Sequence, residues 1–148
     1  MDLLKHAFEY DAWANDLTLS SVRDQGDAGD YARRLFSHVL AAQRIWLARL
    51  RREPPSVDVW PTLTIEQIVR LVRELPTAWS DFLSEAAENM DATCSYTNTA
   101  GKEYTTPIEN ILMHVIAHSA YHRGQIALEL RKVGLQPAVT DLIAYTRR

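Results

Sequence analysis

Three histidines, His114, His118 and His122, recur at four-residue intervals in the run HVIAHSAYHRGQIALEL. On a helix a step of four is one turn plus about 40°, so each adjacent pair shares a face and can converge on one metal ion. All three together cannot. His114 and His122 stand about 12 Å apart along the axis, whereas a zinc–nitrogen bond measures about 2.0–2.1 Å. A site here therefore combines one adjacent pair, 114/118 or 118/122, with help from another segment, and His38 is the leading candidate for that help. Three neutral imidazoles leave an ion one open position for water or substrate, the pattern of a reactive site rather than a structural one.

A solitary histidine on an apolar helix face is ordinarily a hydrogen-bonded core residue, and His38 alone would be read that way. An adjacent histidine pair changes the balance, because helical bundles build metal sites from side chains on facing helices. A mere polar layer in the core would have to explain why several titratable groups, each costly to bury in charged form, gather in one place.

The elements that must position these residues are helical by period and by caps. A first helix is expected over about Leu3 to Val22, with Leu3, Ala7, Tyr10, Ala14 and Leu17 on one stripe and Trp13 beside it. Gly26 and Gly29 mark a short connection. A second helix, about Tyr31 to Arg52, carries Leu35, His38, Ala42 and Ile45 on one face. Pro54, Pro55 and Pro61 predict a stiff loop after it. Thr64 and Gln67 form a capping box, with Leu63 and Ile68 as hydrophobic staple, for a third helix whose Pro76 predicts a kink or a break. Residues 93–106 place β-favouring residues around an Asn-Thr-Ala-Gly turn, which suggests a small hairpin or ordered loop. The histidine helix is expected to open with Thr106 as N-cap, Pro107 in the first turn and Glu109 completing the box, and to close at Arg131, Lys132 and Gly134. A short helix over about Ala138 to Thr146 finishes the chain. These elements predict an all-α fold, a four-helix bundle with a hairpin or ordered loop between its third and fourth helices, in one domain over residues 1–148.

Composition narrows the setting. Of 148 residues, 47% are hydrophobic and 24% charged, as in soluble globular domains. A net charge of -3 provides no basic field for nucleic acid. The one cysteine, Cys94, excludes an internal disulfide and lies away from any evident base, so a cysteine nucleophile is not supported. Charges interrupt the amino-terminal segment too often for a signal peptide, and the uncharged run from Asn110 to His122 is too short to span a membrane. A cytoplasmic location is expected. Absent are HExxH, the Glu-x-x-His pairs of di-iron bundles, Cys-x-x-Cys and glycine-rich phosphate loops.

The string His118-x-x-x-His122-Arg123-Gly124-Gln125, preceded by His114, resembles the hallmark of DinB-like proteins, the DinB/YfiT-like superfamily. Tyr10-Asp11-Ala12-Trp13-Ala14-Asn15 is similar to that family's amino-terminal pattern, and His38-Val39-Leu40 with Trp46 to its second-helix signature. Gly134, Pro137 and the ending Asp141-Leu142-Ile143-Ala144-Tyr145 fall where the family places them, so the resemblance spans essentially the whole chain. It implies a four-helix bundle holding one divalent metal through His38, His118 and His122, with His114 one turn away in the core or behind the ligands. It also implies frequent homodimers. Gly124 would permit close helix approach and Gln125 would orient a ligand or water, with packing and plain solvation as their bland readings. Arg123 is expected to be exposed, or else to face an anionic substrate. Tyr10 and Trp13 are expected in the core, and His6 at the surface or bundle end.

Three imidazoles suit zinc or nickel first, with iron, manganese and copper also open. Some superfamily members transfer low-molecular-weight thiols such as bacillithiol or mycothiol; others have no established activity. The leading expectation is thus a mononuclear metal-dependent enzyme, a thiol S-transferase or hydrolase acting on a small molecule, with no nucleic-acid or membrane partner. The alternative is a non-catalytic metal-binding bundle, a sensor or stress-response protein. A metal-free bundle is a third reading.

Overall fold

The computed structural model describes residues 2–54 and 56–148. Pro55, one of the prolines expected to stiffen the loop after the second helix, lies outside the described residues. Four long helices form a bundle: α1 (Asp2–Val22), α2 (Asp30–Leu50), α3 (Ile65–Glu85) and α4 (Ile108–Lys132). A 3₁₀ turn, Gly26–Gly29, links the first two, and a five-residue α5 (Leu142–Thr146) ends the chain. α2 packs most extensively on α4 and α1 on α3, with α1–α4 and α2–α3 contacts closing the ring. The consecutive helices α1 and α2 therefore lie diagonally, and His38 on α2 faces the histidine helix α4.

The core confirms most of the apolar pattern. Leu35, Val39, Leu40, Ile68, Val72, Trp79, Leu112, Val115 and Leu130 are all buried in it. Leu3 is not: the core on α1 begins with Leu4 and Phe8, leaving the preceding residue in the first turn 81% exposed. Thr64 caps α3 as expected, its hydroxyl accepting from the Gln67 amide while its own amide donates to Gln67 Oε1 at 2.8 Å. α3 runs unbroken through Pro76. Leu71, Val72 and Leu75 before it and Trp79, Phe82 and Leu83 after it are buried together. That burial outweighs the roughly 3 kcal/mol that a proline costs a helix interior.

Between α3 and α4, β1 (Thr93–Thr97) and β2 (Glu103–Pro107) pair antiparallel, with Tyr96 opposite Tyr104. Asn98 closes the turn by accepting from the Ala100 and Lys102 amides, and Gly101 supplies the φ of 77° that it needs. The strand also displaces the expected helix start. Thr106 pairs with Cys94 and Pro107 with Thr93, so Pro107 becomes the N-cap of α4 and no side chain caps it. At the other end Gly134, φ 78°, completes a Schellman motif: its amide donates to the Arg131 carbonyl and that of Leu135 to Leu130. α5 is shorter than expected because the segment before it is tied to α1. The Ala138 amide donates to Ser21 Oγ, and the Thr140 carbonyl accepts from Tyr10. Among the described residues, no helix is long and apolar enough to cross a membrane.

Candidate metal centre

His38 comes from the middle of α2, His118 and His122 from successive turns of α4. His38 and His122 are buried and His118 is half-buried. One ring nitrogen from each lies within 4.8 Å of the others, and His38 Nε2 stands 3.2 Å from His118 Nε2. Ligands of a tetrahedral ion with bonds of about 2.0–2.1 Å are about 3.3 Å apart, so the spacing fits a shared cation. The rings meet edge to face: His38 and His122 are inclined by 84°, His118 and His122 by 67°. Edge-to-face rings can direct nitrogens to one point, which stacked rings cannot.

Hydrogen bonds behind the rings set their tautomers. His38 Nδ1 lies 2.6 Å from the Val59 carbonyl, which can only accept. Nδ1 therefore carries the proton and Nε2 the lone pair. Gln125 Oε1, 2.7 Å from His122 Nδ1, imposes the same arrangement there. Burial, and then the neighbouring His122, His38 and His114, push the His118 pKa down to about 4. Burial also lowers that of His38, against the Val59 hydrogen bond, with His122 adding to the lowering. Both rings are neutral near pH 7, the form that coordinates metal.

His114 lies outside the cluster. It is exposed, with ring centroids 5.5 Å from His118 and 5.4 Å from Trp46. Of the two pairs that spacing left open, 118/122 is the one brought to His38. His6 is exposed at the start of α1, 5.3 Å from the Tyr145 ring. Cys94 is buried in β1, its thiol pKa raised by that burial.

One residue at the cluster had no signal in the sequence. Trp60, in the irregular connection between α2 and α3, lies flat against His38 with centroids 3.6 Å apart and planes inclined by 6°.

Next to the imidazoles, the same helices carry an ionic cluster that overturns the expectation of an exposed Arg123. The Arg123 guanidinium is buried and donates through Nη1 to Asp11 Oδ1 at 2.5 Å and to Asn15 at 3.0 Å. Asp11 Oδ2 accepts from Asn15 and from Gln43 Nε2, and Gln43 also donates to Ser119 Oγ. Trp79 Nε1 donates to Gln43 Oε1, which ties α3 into the cluster. Tyr10, buried as expected, meets Arg123 from the other side. The signal was present: Arg123 sits four residues after Ser119 and three before Ile126, inside the buried stripe of α4. A cation at such a position needs an anion, and Asp11 lies in a corresponding position, three residues before Ala14. The close approach expected at Gly124 is also absent: a Cβ there would meet nothing within 4 Å.

The comparisons with known proteins agree with this fold. Protein DinB of Bacillus subtilis (strain 168) is 31% identical over 81 residues, 55% of this chain and 46% of that protein. This chain thus matches about half the length of that relative. The crystal structure of a DinB-like protein from Bacillus cereus ATCC 10987 superposes with a TM-score of 0.61 at 21% identity, covering 90% of this chain and 91% of the other. The DinB family model matches residues 2–148, and with nearly every residue inside that match the chain belongs to the DinB family.

Proposed function

We propose that this protein binds one divalent metal ion through His38, His118 and His122 and uses it in a small-molecule reaction, thiol transfer or hydrolysis. The observation that carries the reading is the convergence of imidazoles whose outer nitrogens are engaged behind them: His38 by Val59 and His122 by Gln125. An ion held by these three imidazoles would supply Lewis acidity, enough to make water or a thiol nucleophilic near neutral pH. The chain's own contribution is placement. α2 and α4 bring the rings together, burial keeps His118 uncharged, and Trp60 covers one face of His38. Zinc or nickel suits such a donor set, with a low-molecular-weight thiol as one substrate candidate.

Metal content separates the readings. After loading with zinc or nickel and desalting, the wild type should retain one equivalent by elemental analysis and His122→Ala essentially none. Equal retention by both proteins would sink the assignment. Turnover of a simple electrophile by the loaded wild type, lost in His122→Ala, would support an enzyme. Bound metal without turnover of any thiol or hydrolytic substrate favours a sensor or stress-response bundle.

A further inference from the structure

We propose that Val59 and Trp60, on the connection between α2 and α3, act as a positioning clamp that sets the His38 ring for metal binding although neither ligates. The inference rests on the metal-binding reading above. His118 and His122 brace one another on adjacent turns of a single helix, with ring centroids 4.5 Å apart. His38 is the only member of the cluster on α2, and one dipeptide supplies both the hydrogen bond to its Nδ1 and a ring stacked on its face. The Val59 carbonyl engages Nδ1 at 2.6 Å, which fixes the tautomer and the direction of Nε2. The Trp60 indole lies parallel to the ring at 3.6 Å, which fixes its plane. Held from the edge and from one face, the imidazole keeps Nε2 aimed at His118.

Trp60 has little else to do. It is 49% exposed and stands outside the hydrophobic core. Its remaining ring contact is edge to face with His122 at 6.1 Å. An indole face also favours a ring that shares the positive charge of an ion, so the stack should strengthen when metal binds.

The test uses the full chain, nickel ion as probe, and Trp60→Ala and Trp60→Phe beside His122→Ala. Calorimetric titration should show nickel affinity reduced about tenfold in Trp60→Ala, the lower end of what residues supporting a ligand contribute. Trp60→Phe should recover most of it. In chelator, the melting temperature of Trp60→Ala should match the wild type, which separates positioning from simple packing. Nickel should quench the tryptophan emission of the wild type, and Trp60→Phe should lose most of that quenching while still binding. Unchanged affinity in Trp60→Ala, or a lower chelator-state melting temperature with affinity intact, would overturn the clamp and leave the metal site standing. If Trp60→Ala does not fold, undiminished quenching in Trp60→Phe overturns it instead. Failure of the wild type to bind nickel any better than His122→Ala removes the metal reading and the clamp with it.

Discussion

The imidazole cluster and the Asp11–Arg123 cluster are neighbours on the same helices, built on opposite terms. Around Asp11, charge meets charge and donors meet acceptors: Arg123, Asn15 and Gln43 all donate to one carboxylate, and Trp79 and Ser119 engage Gln43. Among buried side-chain atoms of the described residues, Arg123 Nε alone lacks a partner. Around His38 the arrangement is reversed. The Val59 and Gln125 oxygens take the Nδ1 protons of His38 and His122, so the lone pairs of their Nε2 atoms face the space shared with His118. A polar layer that merely stabilised the core would look like the first cluster. The second instead gathers imidazole nitrogens from two helices around one space that a cation can share, which is why we read it as a site and the first as a brace.

Removing a partner from the closed cluster should have the largest effect. Asp11→Ala strands a guanidinium that is 2% exposed, and an uncompensated buried charge of this kind costs about 3–5 kcal/mol. Urea unfolding should show that loss directly. Replacing both partners, Asp11→Leu with Arg123→Met, should recover much of it, since two well-packed apolar groups avoid the desolvation that the ion pair must offset. By contrast, His118→Leu measured in chelator should cost little, because the open cluster contributes placement of lone pairs and not a closed set of bonds. A large chelator-state loss for His118→Leu would erase the distinction between the two regions.

A smaller, pH-dependent effect follows from the open cluster. His118 titrates near 4 when folded, against a reference of about 6.5 for an unfolded histidine. Between those values the unfolded chain takes up a proton that the folded chain refuses, so stability falls as pH drops from about 6.5 toward 4. The lowered pKa of His38 acts with the same sign. Metal binding should steepen the trend, because protonation also competes with coordination. Melting curves with and without chelator should therefore diverge near pH 7.5 and converge below about 5. In His118→Asn the chelator-state slope between pH 6.5 and 4.5 should flatten. Curves that stay parallel across this range would contradict the assignment of His118 as a half-buried ring held neutral in the folded chain.

How legible these regions were depended on distance along the chain. Local signals held: the Thr64–Gln67 box, the Gly134 close and the four-residue histidine spacing each involve contacts within about a turn or two. The displaced start of α4 shows where local signals compete, since Thr106 and Pro107 suit a helix cap but were taken by the β ladder with Cys94 and Thr93. The Asp11–Arg123 pair joins residues 112 positions apart, and only the interruption of an apolar stripe by an arginine hinted at it. Trp60 lies in irregular chain, where no period reports burial, so its stacking on His38 emerges only in three dimensions. The histidine triad lay between these cases. Spacing supplied two pairs, the family resemblance chose one, and the helix packing brings that pair to His38.

The smallest effect tests the outer side of the same helix. Gly124 lies within α4, where glycine costs about 0.5–1 kcal/mol relative to alanine, and a Cβ there would touch nothing within 4 Å. In the isolated chain Gly124→Ala should therefore stabilise by about that amount, raising the melting temperature by roughly 2–4 °C. Although Gly124 adjoins the buried Arg123, its side of the helix faces away from both polar clusters, so metal affinity should not change. The same face carries Met113, Ala117, Ala120, Tyr121 and Leu128, all exposed and none charged. If a second copy packs over this face in solution, a methyl at its centre would crowd the partner, and the substitution would destabilise instead. Melting at two protein concentrations distinguishes the cases: a gain independent of concentration fits a free face, whereas a loss that grows with concentration fits a covered one.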